Sequence, residues 1–558
     1  ADIKKIVEDS FTRYAGNVIM NRAICDTRDL LKPSARMLMY CQMAVTKNIP
    51  SKPFVKSARV VGDALGHYYE HGDSSCYGTY MRMSKPFAMR YPLEDCQGNN
   101  GTLNNTSDEA SMRYTELRLS PLGYSLFGDI DKETIFEWSN NFDETEKYPK
   151  VAPSKGYYNI CNGTVGLGIA LSSSIPQFNL REVNEALIKL LWNPDIPFEE
   201  ICVMPDYATG ALLLNAEEVK KSLEVGSGAS AKLRSVIEYD KSKRALIVRE
   251  LPYGVYTETI SAQIQKLLEK EPNCGIDNVN DASHKKPDYE IYLTKNASPE
   301  KVLKLLYKET SLENFSGINM TVLVDGKKPA VLGLRELFQA HLDHEKTVYI
   351  NGFQFDSRKI RARLHILEAL IKAISMIDEV VKTIKQASDA KNASIGLQSL
   401  LGIDEAQAKA ILELKLSRLT HLDVSKLTNE KAELEKELAR IEAILADENL
   451  LKKEIERGLR EVAEKFGDAR RTKILNISNE EETIERKQLA LSFTNNGAVF
   501  VNETSTLYSQ RRNGVGQKFK LDKGEYVVDT LVGETTDEIL FFTDKGRFYS
   551  TKMGNFSI

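Results

Sequence analysis

The sequence predicts a mixed α and β multidomain protein, and three observations carry that reading. The chain has 558 residues, which at roughly 150 residues per domain makes three to four domains. Two stretches repeat apolar residues in alternating steps of four and three, the spacing of a coiled-coil seam. Towards the C-terminus two hairpin-like segments match each other at a fixed period. Hydrophobic residues make up 42% and charged residues 28%, a balance that excludes a disordered chain. No apolar run reaches the ~20 residues of a membrane span, and the first residues lack the basic-then-apolar order of a signal peptide. A soluble, intracellular protein is expected. The seven cysteines form no C-x-x-C pair, which points to reduced, mostly buried thiols rather than a disulfide framework or a zinc site.

Residues 1–150 read as short helices broken by turns: PSARMLMYCQMAV, KSARVVGDALGHYY and SCYGTYMRMSKPFAM. Short basic helices suggest a helix-turn-helix relative. CQGNNGTLNNTSDEASMRYTELRLS is dense in Gly, Asn and Ser, which makes it an irregular loop running into a short extended segment. A long loop in a compact domain is functional or disordered. Residues 151–333 mix strands such as RALIVREL and YEIYLT with helices such as ETISAQIQKLLEK, an α/β pattern. In 334–480 a seam begins at residue 357 with Ile360, Leu364, Leu367, Ile371 and Ile374, and a second runs through Leu427, Leu434, Leu438, Ile441 and Leu445. Two such helices from one chain pair antiparallel around the insert between them. That insert carries Ile411, Leu412, Leu416 and Leu419, a cluster that would be exposed in a monomer and so predicts a dimer contact. Gly458 and the charges beyond Leu445 are expected to end the coil. In 486–558, SFTNNGAVFVNE and FFTDKGRFYSTK place Phe493 and Phe542, and Gly497 and Gly546, 49 residues apart. This is about one propeller blade, too little for a ring.

Net charge is -4, from 75 basic and 79 acidic residues, which in bulk argues against a polyanion partner. Residues 21–60 depart from the average. They hold eight basic side chains (Arg22, Arg28, Lys32, Arg36, Lys47, Lys52, Lys56, Arg59) against Asp26 and Asp29, a net of +6. Such a segment predicts a phosphate-facing surface.

In order, NRAICDTRDLLKP, KSARVVGDALGHYYEHGDSSCY, QGNNGTLNNTSDEASMRYTELRL, NGTVGLGIALSSSIPQFNL, AQAKAILELKLSRLTHL and FGDARRTKI resemble the A subunit of the bacterial type IIA topoisomerases, DNA gyrase and topoisomerase IV. The resemblance implies a winged-helix DNA breakage-reunion domain over 1–150, a tower over 151–333, a long antiparallel coiled coil with a dimer gate over 334–480, and the start of a C-terminal β-pinwheel over 486–558. It also implies a reaction. A tyrosine from each protomer attacks one DNA strand, leaving a 5'-phosphotyrosyl link while a second duplex passes, and the break is then religated. The implied partners are double-stranded DNA, a second copy of the chain, and a B subunit that carries Mg²⁺ and ATP in an A2B2 assembly. The implied location is the cytoplasm of a bacterium or of a phage-infected cell.

Tyr114 matches the family's nucleophile. It follows Arg113 in the Gly- and Asn-rich loop, where a phenol can reach a phosphodiester and a guanidinium can hold its oxygens; the alternative is a core Tyr beside a surface Arg. Arg22 and His71 match the positions that stabilise the transition state and assist proton transfer, against a surface cation and a turn histidine. Where the family usually reads H-P-H-G-D this chain has Tyr69 in the first place, so one imidazole must serve. Lys32, Arg36, Lys56 and Arg59 are candidate phosphate contacts, which position DNA without reading its sequence. The family's histidine and second arginine around Arg36 are Ala35 and Met37 here. Leu167 matches the residue that wedges between base pairs, with Ile169 as a substitute. Ser74 falls where the family has a serine tied to quinolone binding, but the acidic partner is Gly78, which predicts a weak or altered drug response. QRRNGVG, with Arg511 and Arg512, resembles the gyrase A-box (usually Q-R-R-G-G-[KR]-G) with Asn513 and Val515 as departures, which implies a gyrase-like ancestry; with about one blade, relaxation or decatenation is expected rather than supercoiling.

The sequence has no G-x-x-x-x-G-K-[ST] phosphate loop. Asp129-Ile130-Asp131 resembles a metal-binding carboxylate pair but precedes KETIFEW, a helical continuation in the family, and reads as solvated surface. No metal site is expected on this chain, and the B subunit is expected to carry the ATPase and the metal. A catalytically decayed, dimeric DNA-organising protein would share the basic helices and coiled coil and would be indifferent to Tyr114→Phe. A magnesium nuclease would leave free DNA ends.

Overall fold

A computed structural model of the chain describes residues 10–11, 14–16, 18–105, 108–413, 424–475, 487–504, 521, 524–543 and 546–556. The chain is mixed α and β, and its contacts divide it into two units, residues 1–475 and 476–558.

The first unit opens with the expected helices at Pro33–Cys41, Ser57–His67 and Asp73–Ser84. Pro33 suits the first helical turn, where its missing N–H would have had no partner. Leu38, Val60, Ala64, Cys76 and Tyr80 from these helices are fully buried together. A three-stranded antiparallel sheet packs beside them, with Glu116–Leu119 between Val55–Lys56 and Glu94–Gln97. The Gly- and Asn-rich loop thus feeds directly into the central strand. The boundary expected at residue 150 does not separate one core from another, because the same cluster continues through Tyr157, Ile160 and the helix Leu180–Trp192.

Among the described residues the α/β pattern resolves into two four-stranded sheets and two two-stranded hairpins. Strands Ala245–Glu250 and Tyr289–Leu293 are the middle of an antiparallel sheet flanked by Val236–Asp240 and Ile276–Asp281. With helices Thr257–Lys270 and Pro299–Glu309 it builds its own core around Val248, Ile260, Ile264 and Leu306. The other sheet orders Glu313–Ser316, Ala231–Arg234, Leu212–Leu213 and Lys473–Ile474, the last pairing parallel.

The helix carrying the first seam runs from Leu334 to Ser375, well ahead of residue 357. Its first half enters the main core, and the buried His341, His344 and Glu345 break the apolar pattern there, which hides the helix from a seam search. The antiparallel pairing is observed: Lys346 meets Glu448, Arg361 meets Glu442, Arg363 meets Glu430 and Glu368 meets Lys431. The returning arm breaks at Asp447, whose carboxylate accepts from Asn449 N at 2.8 Å and caps the helix Glu448–Phe466. Gly458 does not end the coil. It lies inside that helix, where a Cβ would stand 2.1 Å from Tyr349 Oη, so the glycine lets two helices touch. The gate residues need a correction too. Ile411 is 0% exposed and Leu412 half-buried, packed with Leu367, Leu397 and Leu401 of the same chain. Ile411 is therefore satisfied without a second copy. Leu416 and Leu419 lie outside the described residues.

Three buried polar side chains tie the long helix to the first domain. His341 stacks on Tyr158, donates from Nδ1 to the Arg28 carbonyl at 2.8 Å, and stands 3.8 Å through Nε2 from Glu345. Glu345 accepts from Gly156 N at 2.7 Å, and His344 donates to the Ala152 carbonyl. Burial pushes the Glu345 carboxyl up to about 8, against the weaker pull of the Gly156 amide and Lys155, and pushes His341 down to about 3. The signs oppose. The Glu345 contribution is fully present below its unfolded value of 4.5 and is lost as pH rises through about 8. The His341 contribution is present above 6.5 and is lost as pH falls through about 3. Glu345→Gln keeps the acceptor for Gly156 and removes the ionisation. Its urea midpoint should hold between pH 6 and 9 while that of the wild type falls, and parallel declines would refute the assignment.

Asp129 is not solvated surface. Burial works against its ionisation, yet Lys155 at 2.7 Å and Lys132 at 3.4 Å hold its carboxyl below the usual range. KETIFEW is not helical: Ile130–Lys132 is a single tight turn and Trp138–Asn140 a strand. Burial raises the thiols of Cys25, Cys41 and Cys76 to about 12, which keeps them protonated and inert.

In the second unit, Gln488–Thr494 lies between Val499–Glu503 and Val527–Glu534, and Glu538–Phe542 pairs with Phe548–Lys552. The two hairpins correspond as expected. Thr494 N donates to the Ala498 carbonyl and Thr543 N to that of Arg547, around Gly497 and Gly546 at φ 83° and 70°. Positive φ is why glycine is needed at both. Leu491, Ile539 and Met553 join the hairpins in one small core.

Candidate active site

Tyr114 closes a tight turn, its N–H donating to the Ser111 carbonyl at 2.8 Å, two residues before the central strand. The ring is 71% exposed, which rules out the core-tyrosine reading. The Arg113 guanidinium lies over the ring, 5.3 Å from its centroid. Both residues line a cavity of about 300 Å³ with Lys56, Gln97, Gly98, Thr115 and Glu116. Beneath the turn, Thr115 is buried and its hydroxyl bonds to Ser57 and Tyr77 at 2.8 and 2.9 Å. An exposed phenol beside one guanidinium, in a cavity that a lysine also lines, is open to a phosphodiester.

A second cavity, of about 1190 Å³, gathers Arg22, Lys32, His71, Gly78 and Leu167. Arg22 is exposed on the helical turn Ile19–Ala23. Burial, and then Arg82, push the Lys32 ammonium below its usual value. His71 is exposed, and Tyr69 stands edge-on to it at 5.4 Å while its hydroxyl bonds Ser75 Oγ at 2.9 Å. The residue replacing the family's first histidine is thus a buried prop for the second. Leu167 is 80% exposed at the end of the hairpin Thr164–Leu167/Ser172–Ile175. Ile169 is only partly exposed in the turn, which favours Leu167 as the wedge.

The two cavities share no lining residue: Tyr114 lines the small one, Arg22 and His71 the large one. Arg36 is a correction. Its guanidinium is buried against Asp29 at 2.6 and 2.8 Å and donates to the Leu31 carbonyl, so it braces the domain and has no face for a phosphate. Arg28 is likewise held by Asp26 and Glu137, which removes two of the eight cations from the surface. Arg59 stays exposed, 3.9 Å from Asp63. Ser74 donates to Asp73 and does not line the large cavity, whereas Ser75 does. Arg511 and Arg512 lie outside the described residues. Sequence reasoning missed Arg82, although four residues after Gly78 puts it on the same helix face. Among the described residues no three His, Cys, Asp or Glu side chains converge as a metal-binding group.

A family model described as the A subunit of DNA gyrase/topoisomerase IV matches residues 22–460. The chain belongs to that family. It is 35% identical over 566 residues to the DNA gyrase A subunit of Staphylococcus epidermidis, covering 99% of this chain and 63% of the relative. The DNA gyrase A subunit of Clostridium acetobutylicum is 35% identical over 563 residues, 99% of this chain and 67% of the relative. That of Staphylococcus aureus is 35% identical over 565 residues, again 99% and 63%. The chain therefore spans about two thirds of the length of these gyrase relatives. The matched family segment contains the small cavity, most of the lining of the large one and most of the arm's paired helices, and no helix among the described residues is long and apolar enough to cross a membrane.

Proposed function

We propose that the chain is the DNA cleavage and religation subunit of a type IIA topoisomerase, with Tyr114 as nucleophile. The observation that carries this is an exposed tyrosine held on a rigid turn beside Arg113 and Lys56, in a chain of the gyrase A family. The Tyr114 oxygen bonds to phosphorus, the bond from phosphorus to the 3'-oxygen breaks, and the phenolic proton leaves as the 3'-oxygen gains one. Bond type and number are conserved, so the reverse step reseals the strand without an energy source. Arg113 and Lys56 hold the phosphate oxygens as charge builds.

The large cavity holds the rest of the duplex. Lys32, Arg22 and His71 face its backbone and Leu167 enters the stack, where unstacking takes a few kcal/mol per step and permits a wider wrapped surface. Since the cavities are separate, a complete site needs DNA that spans both or a second copy of the chain. On this reading residues 1–150 act as the winged-helix domain, 151–333 as the tower, 334–480 as the coiled coil and gate, and 486–558 as the start of a pinwheel. The partners are double-stranded DNA, a second copy, and a B subunit in the bacterial cytoplasm that holds Mg²⁺ and ATP. The test mixes the chain with a B subunit, Mg²⁺ and end-labelled plasmid, quenches with detergent, and looks for DNA covalently attached to this polypeptide. Free ends without attachment would mean a nuclease, and intact DNA would mean a scaffold that has lost cleavage.

Gly78 supplies a separate check. It lines the large cavity, and a Cβ there would meet nothing within 4 Å, so an acidic side chain fits. Gly78→Asp should raise quinolone-stabilised adduct several-fold over the wild type at equal drug concentration. An unchanged level would remove Gly78 from the drug site.

A further inference from the structure

The loop that delivers Tyr114 is held from outside its own domain. Gly98 abuts the turn so closely that a Cβ there would meet the Tyr114 carbonyl at 3.0 Å and Thr115 Cα at 3.3 Å. Asn99 accepts from Ala110 N at 2.9 Å and donates to the Asp108 carbonyl at 2.8 Å, which closes the loop across its base. The next two residues face Lys285, on the connection between strands Ile276–Asp281 and Tyr289–Leu293. The Lys285 ammonium donates to Asn100 Oδ1 and to the Gly101 carbonyl, the latter at 2.6 Å, and lies 5.8 Å from the Phe87 ring centroid. Asn100 in turn donates to Ser84 at 2.9 and 3.1 Å, at the end of the helix Asp73–Ser84. Three further bonds tie the same segment to that sheet's connection and to the helix Thr257–Lys270: Leu103 N to the His284 carbonyl at 2.8 Å, Thr257 N to the Leu103 carbonyl at 3.0 Å, and Glu258 N to the Asn104 carbonyl at 3.2 Å.

We infer that Lys285 is a positioning residue for the nucleophile, acting through Asn100 and Gly101 to fix the turn that presents Tyr114. The inference rests on the assignment of Tyr114 above. An ammonium engaged by a side-chain oxygen and a backbone carbonyl is not free for phosphate, and burial pushes Lys285 below its usual value, as expected for a cation built into a structure rather than offered to solvent. Its place on the connection between two strands of the sheet with the separate core means that a movement of that sheet moves the tyrosine's turn. Nothing in its sequence context, NDASHKKPDYE, marks it, because its partners are 184 and 185 residues away.

The test compares the wild type, Lys285→Met and Lys285→Arg as full chains. Hydrogen exchange on each chain alone reads the turn, and adduct formation with a B subunit, Mg²⁺ and plasmid reads the chemistry. Lys285→Met should speed exchange across residues 98–115 while leaving the sheet strands protected. It should slow adduct formation about tenfold with plasmid affinity within twofold of the wild type, and Lys285→Arg should restore both. Unchanged exchange at 98–115, normal adduct formation, or a loss of plasmid affinity in step with the adduct would each overturn the inference, the last by making Lys285 a DNA contact. A wild type that gives no adduct with the B subunit would defeat the Tyr114 assignment instead, and the exchange result would then decide the Lys285 contact by itself.

Discussion

Tyr114→Phe should abolish the covalent adduct while leaving plasmid binding and melting temperature unchanged. The substitution removes one oxygen from a ring that is 71% exposed, and surface changes of this kind stay within about 0.5 kcal/mol of neutral. Its effect falls on chemistry alone. Removing a nucleophile typically lowers the rate by a factor of about 10³ to 10⁶, which puts the variant below detection in a detergent-quenched assay. Arg113 keeps its place beside the ring and can still hold a phosphate, so DNA binding is retained. Residual adduct in the phenylalanine variant would show that another residue attacks, and the small cavity would then lose its role.

Arg90→Leu should be the most destabilising single change. The Arg90 side chain is completely buried and donates to Asp206 at 2.8 and 2.9 Å, to Asp468 at 2.9 Å and to the Ala469 carbonyl at 3.0 Å. Asp206 also accepts from the backbone of Arg471 and Thr472, both at 2.8 Å. Breaking a buried pair by removing one partner takes about 3 to 5 kcal/mol, because the remaining charge is left without a counter-ion. The loss should be local before it is global. Trypsin should cut after Arg470 and Arg471 far faster in the variant, with the sheet of 236–293 still protected in hydrogen exchange. Equal proteolysis rates would show that the segment is held by other contacts.

That segment is the FGDARRTKI motif, and it shows what sequence could and could not give. The motif helped to identify the family, yet its residues join distant stretches of the chain and touch neither cavity. Tyr114 and Leu167, which the sequence offered through their motifs, lie exposed, as side chains that meet DNA must on the proposed function. Arg36 was misread for the opposite reason: charge in sequence does not say which way a side chain points, and Asp29 seven residues earlier had already claimed it. The seams after residue 357 were legible because a repeating contact leaves a repeating pattern. The first half of the same helix was not, since the partners of His341 and Glu345, the Arg28 carbonyl and the Gly156 amide, lie far away in the chain. Gly458 looked like a helix breaker, and only the Tyr349 hydroxyl lying against it shows that its role is to let two helices approach.

The clasp at Arg90 also changes the entropy of the arm. The chain leaves the main core along the helix from Leu334 and returns through Asp468 to the strand beside Leu212–Leu213. The cluster near the arm's tip, built on Leu367, Leu397 and Leu427, is separate from that core and can melt by itself. When it does, both feet stay fixed, and the released residues form a closed loop rather than a free chain. Closing a loop of this size restricts the unfolded state by about 4 kcal/mol on the chain-entropy model. One buried and one half-exposed carboxylate and a buried guanidinium thus do for the arm what a disulfide does for a small secreted protein, with cysteines that are all reduced.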